Sequence, residues 1–178
     1  MPSPQTLSDD DRRVLARWAS ECAGRVVHLF DADDESVRVV RDALGRTRAY
    51  ARGESTAARE IARRMEPVTA AGAATTPAGA AAARVVAQAS AVAHMGAHAL
   101  GAAGYAAKAV ALARPGDPDA VAEEARWQLD QLTDDERRAL ARLPALGSST
   151  SGPLGAGLLT RGVPGDVIRA IQRDVVTV

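Results

Sequence analysis

Aromatic residues are almost missing from this chain, at 3% of its 178 positions. A core with so few rings must be assembled from Ala, Val and Leu, and side chains that small fill space only where backbones approach closely. The strand formers Tyr, Phe and Ile are scarce too, which argues against a β-rich fold and for an all-α one. Cysteine occurs once, as Cys22, so no internal disulfide can form. Net charge is absent: 22 basic and 22 acidic residues cancel, removing any general attraction to nucleic acid or to an anionic membrane. Lysine is confined to Lys108; the other basic residues are Arg, a bias that goes with the Ala excess of a GC-rich genome. The start, MPSPQTLSDDDRR, has neither a basic opening nor an apolar signal core, so a cytoplasmic protein is expected.

Catalytic signatures are missing as well. There is no Gly-rich phosphate loop following a strand, no Ser nucleophile elbow and no CxxC pair. No enzyme and no cofactor are therefore expected. The length suits one domain with a tail, able to bury a sizeable core without disulfides or metals.

What is present is a long Ala-rich stretch, residues 78–113, nearly free of charge and uninterrupted by Pro. Ala is the strongest helix former, so the stretch predicts a central helical post, about 50 Å long at 1.5 Å per residue if unbroken, with Gly101 or Gly104 as places for a kink. Turned at 100° per residue, it separates one polar stripe from the rest: His94, His98, Gly101, Tyr105 and Lys108, extended at its N-terminal end by Arg84. The other faces carry Val85, Val86, Val92, Met95, Leu100, Val110 and Leu112 among small residues, the pattern of a helix surrounded by helices. The stretch is long enough to span a bilayer, but His94, His98 and Lys108 would then lie in hydrocarbon, which excludes that reading.

Around the post the chain predicts further helices. Ser8 and three Asp residues begin one that runs to about Phe30, with Val14, Trp18, Cys22, Val26 and Leu29 inward. A second spans about Ser36 to Arg52, and Ser55 or Thr56 caps a third, in which Ala58, Ile61 and Met65 face the core. After the turn Pro115-Gly116-Asp117-Pro118, a helix through Leu132 turns Val121, Ala125, Leu129 and Leu132 inward, and Thr133 with Glu136 forms a capping box for a short helix to about Leu143. Residues 144–163 are Gly-, Ser- and Pro-rich, a linker or mobile loop, and 164–178 form a C-terminal amphipathic helix that either docks back on the bundle, the favoured reading, or serves as a partner-binding segment.

Two surfaces could carry function. On the second helix Arg41, Arg48 and Arg52 align at i, i+7 and i+11, either a solvated flank or a set of forked donors for a partner's carboxylates. The polar stripe is the other. His94 and His98 have the i, i+4 spacing at which two imidazoles share a metal, yet Met95 stands where a zinc protease has Glu and the post offers no acidic third ligand, so a structural role is favoured and no metal is expected. Tyr105 and Lys108, one turn apart, suit either an acid/base pair or the rim of a groove. Charge is also unevenly spread: residues 36–84 hold nine Arg against four acids, and 115–136 hold eight acids against one Arg, blocks that pair across a fold or form a partner surface.

Four segments taken in order, RWASEC, ALGRTRAYARGE, AVAHMGAHALGAAGYAAKAVAL and EARWQLDQL, resemble the Imm-5-like immunity proteins, small bacterial α-helical proteins associated with polymorphic toxin systems. The resemblance covers about Asp11 to Leu143, making residues 1–143 one domain and leaving the tail outside it. It falls on Trp18, Cys22, Arg48, Tyr50 (where the family often has Trp), Gly53, His94, His98, Tyr105, Lys108 and Trp127. It implies a protein that binds a cognate toxin and blocks it without turnover. The alternative is a small-molecule- or metal-binding helical protein, an enzyme included, using a groove of His94, His98, Tyr105 and Lys108.

Overall fold

Helices begin where the sequence supplies a side-chain oxygen for the first free N–H groups. In the computed structural model, which describes residues 3–177, helix α1 (Asp9–Val26) opens at Ser8, whose hydroxyl accepts the N–H of Asp11 at 3.1 Å, and Asp9, Asp10 and Asp11 face the positive end of the helix dipole. α2 (Asp34–Ala51) is capped by Asp33, so it starts two residues ahead of the expected Ser36. α3 (Ala57–Arg63) is capped by Thr56 and is followed by the short α4 (Glu66–Ala70). α5 (Pro77–Ala91) is capped by Thr76 with Pro77 in its first turn, and α6 (His98–Ala113) and α7 (Ala120–Asp130) follow. α8 (Asp134–Ala141) carries the predicted capping box of Thr133 and Glu136, and α9 (Gly162–Thr177) closes the fold. The protein is all-α, with no strand among the described residues and no helix there long and apolar enough to cross a membrane.

The single long post does not form. The Ala-rich stretch divides at residues 92–97, and α5 and α6 fold back on each other as a hairpin. The N-terminal segment makes the division: Gly96 donates its N–H to the Thr6 carbonyl at 3.0 Å and Ala97 donates to the Gln5 carbonyl at 3.1 Å. These bonds satisfy groups that a helix start leaves open. A β-carbon on Gly96 would stand 2.9 Å from Leu7 Cδ1, so glycine allows the close approach. Helix propensity alone would carry α5 through this point. The strap contacts and the burial of two Ala faces against each other outweigh it.

α6 takes the central place, with α1, α5, α7 and α9 packed around it. Its alanines at 102, 103, 106, 107 and 109 are inaccessible, and Gly104 lies so close to Pro164 that an added β-carbon would be 3.1 Å from the Pro164 backbone. Trp18 is the largest fully buried side chain, and its indole N–H donates to the Gln128 carbonyl at 2.9 Å. Cys22 is buried beside it, where burial pushes the thiol well above its ordinary range, as suits a core residue and not a nucleophile.

Inward assignments change on two helices, and on α3 Ala58, expected in the core, is exposed. Met65 is 56% exposed, because Pro67 in α4 turns the chain and Glu60 takes the buried position on α3. On α7 the deepest positions belong to Glu124 and Gln128, while Val121, Ala125 and Leu129 are only partly covered. Residues 144–163, expected as a linker, pack onto the bundle through the buried Leu154 and Leu159. Buried Gln5 holds them, its amide donating to the Ser151 carbonyl at 2.7 Å and accepting the Leu154 N–H at 3.0 Å. α9 lies mainly on α6 and also against α8, burying Val167, Ile168, Ile171 and Val175.

Candidate functional site

The polar stripe on α6 splits into two parts. At its start His98 is mostly enclosed, with Nδ1 2.8 Å from Gln88 Oε1 of α5, a contact that a neutral ring protonated at Nδ1 makes as donor. Burial lowers the His98 pKa to about 4, and the charges of His94 and Arg64 act in the same direction. His94 is exposed, its ring centroid 6.4 Å from that of His98 and tilted by 42°. Among the described residues no group of three or more His, Cys, Asp or Glu is arranged to hold a metal. Gln88 and Leu159 then close over Gly101, where a β-carbon would meet them at 2.3 and 3.2 Å.

Beyond that closure Tyr105 and Lys108 line an open groove of about 540 Å³ with Arg84, Leu112, Leu158 and Arg161. Arg84 stands 24 residues before Lys108, a distance of about 36 Å along one straight helix. The α5–α6 hairpin brings both to the same groove. No Asp or Glu lines it, and neither Arg84, Lys108 nor Arg161 forms an ion pair among the described residues. Leu158 is 80% exposed and Leu112 41%. Leu158 and Arg161 escaped sequence reasoning because they sit in a Gly-rich segment with no periodicity; only the packing of the tail places them here.

The arginine ridge on α2 is uneven. Arg41 is exposed and makes no ion pair among the described residues. Arg48 is also exposed, but it lies against α1 at Gly24, where a β-carbon would be 2.5 Å from its Nη2. Arg52 is engaged by Glu54 through bonds of 2.8 and 2.7 Å. The ridge therefore presents one cation with no ion pair among the described residues, one resting on α1 and one paired.

Much of the acidic block is used inside the fold. Arg17 grips Glu136 with two bonds of 2.6 Å, and Arg25 donates to Glu124 at 2.6 Å while its guanidinium lies 4.4 Å from the centre of the Trp127 ring. Arg114 pairs with Asp117 and Glu123, and Arg138 with Asp135. On the arginine-rich side Arg46 binds Asp42, Glu60 and Glu66. Tyr50 is a structural residue as well: its hydroxyl donates to Asp9 at 2.9 Å and its ring lies under Arg13.

The model of the family described as Imm-5 like putative immunity protein matches residues 5–135. No curated protein and no solved structure matches the chain. The matched span includes Arg84, Tyr105 and Lys108 and ends before Leu158 and Arg161.

Proposed function

Because the chain belongs to the Imm-5-like immunity protein family, we propose that it binds a cognate toxin in the cytoplasm of the cell that makes it and neutralises the toxin by covering its working surface, without catalysis. The observation that carries this reading is a local sorting of charge. Glu60, Glu124 and Glu136 are buried in ion pairs, and exposed acids without an ion pair among the described residues, such as Asp34, Glu35 and Asp130, lie elsewhere, whereas Arg84, Lys108 and Arg161 share one groove that no carboxylate lines. Cations left unpaired at a surface speed the encounter with an acidic partner and select against basic ones.

A small-molecule or metal site built from His94, His98, Tyr105 and Lys108 is the weaker reading. Gln88 and Leu159 stand between the two halves of that set, and His98 is already engaged by Gln88. Capture on the tagged chain from its native lysate, followed by mass spectrometry and titration, tests the toxin reading. A toxin domain held in stoichiometric amount at nanomolar affinity supports it; recovery of no toxin domain sinks it.

A further inference from the structure

Three cations converge on one groove from three parts of the chain: Arg84 from α5, Lys108 from α6 and Arg161 from the turn before α9. Such clustering is unfavourable unless solvent or an anionic partner screens it, and nothing in the groove does so from within. Leu112, 41% exposed, and Leu158, 80% exposed, line the same depression, and Tyr105 adds a phenol to the lining. A lone exposed leucine needs no explanation, but a leucine pair framed by unpaired cations has the composition of a contact centre: apolar anchor sites with charged groups at the edge.

Building on the toxin-binding reading, we infer that this groove holds an acidic segment of the partner protein, with a large apolar side chain seated between Leu112 and Leu158 and carboxylates facing Arg84, Lys108 and Arg161. Charge complementarity identifies the occupant, since an accessible surface of this composition has no carboxylate of its own to satisfy it. The wall made by residues 158–164 lies outside the family match, while Arg84, Tyr105 and Lys108 lie within it. The tail is thus the part of the groove that sets which partner this chain accepts. The family-matched wall supplies the general preference for an acidic one.

The test uses the full chain and a labelled peptide of repeated Glu-Glu-Leu, with a peptide carrying Lys in place of each Glu as control. The acidic peptide should bind saturably, shift the resonances of Tyr105, Lys108, Leu112 and Leu158, and lose affinity steeply with salt. The exposed pair Leu158→Asp and Arg161→Glu, combined in one variant, should weaken it by about tenfold or more while the helical spectrum and Tm stay unchanged. Equal binding of the lysine peptide, shifts confined to α2, no binding at all, or full affinity in the double variant would each overturn the assignment. The same variant keeps the two readings apart. A toxin held equally by parent and variant removes the groove assignment and leaves toxin binding standing. Peptide recognition at the groove in a chain that holds no toxin upholds the groove's chemistry and removes the toxin reading.

Discussion

Arg17 on α1 and Glu136 on α8 form a two-point ion pair, both bonds 2.6 Å, around a carboxylate that is 1% exposed. Glu136 also accepts the Thr133 N–H at 2.7 Å, so one carboxylate closes the capping box of α8 and fastens that helix to α1. Removing Arg17 leaves a buried charge with one partner fewer. Arg17→Ala should cost about 3 kcal/mol, the low end for a broken buried pair because the arginine itself is partly solvated. Urea unfolding checks this, and a double-mutant cycle with Glu136→Gln should show coupling well above that of a surface pair.

His98 makes stability depend on pH. Its folded pKa is about 4, against an ordinary value of 6.5, so the unfolded chain binds the proton more readily. The stabilisation is complete above about pH 6.5 and is lost as pH falls toward 4, with a ceiling of about 3 kcal/mol. Between pH 7 and 5 the parent should lose stability that His98→Gln does not. Chemical denaturation at both pH values decides this; parallel losses in parent and variant would contradict it.

Two glycines on helices should respond to alanine with opposite signs. Gly45 on α2 has nothing within 4 Å of an added β-carbon, so Gly45→Ala should stabilise by about 0.5–1 kcal/mol through helix propensity. Gly104 on α6 faces the backbone of Pro164, so Gly104→Ala must push α9 outward and should destabilise by about 1–2 kcal/mol despite the better propensity. Thermal melts of the two variants should move in opposite directions.

Gln5 ties three parts of the chain together: its side chain holds Ser151 and Leu154, and its carbonyl takes the Ala97 N–H. Gln5→Ala should cost about 1–3 kcal/mol by leaving backbone groups around Leu154 unpaired. The loss should be local. Amide exchange at residues 147–157 should accelerate while α1 and α6 keep their protection.

Much of the fold was legible from local pattern. Ser8, Thr56 and Thr133 mark helix starts by their own hydroxyls, and Trp18 and Cys22 read as core from 3–4 spacing. The polar stripe was legible as a list of residues but not as a site. Periodicity along one helix cannot tell that Gln88 and Leu159 cover Gly101, or that Arg84 returns to face Lys108 from another helix. Glu124 and Gln128 were absent from the residues read as inward for a related reason: polarity predicts exposure, and their burial depends on partners from α1 and α6.

By itself the sequence determined the all-α class, most helix starts, the small-residue core and the family, because propensity, capping and short-range periodicity act within a few residues of one another. Only the tertiary structure decided that the Ala-rich stretch is a hairpin and not a post, and that the tail walls a cationic groove. Both depend on contacts between segments far apart in the chain: Thr6 with Gly96, Pro164 with Gly104, and Arg161 across from Arg84. Their energies come from burial and backbone pairing that exist only once the chain has closed on itself, and no local pattern encodes them.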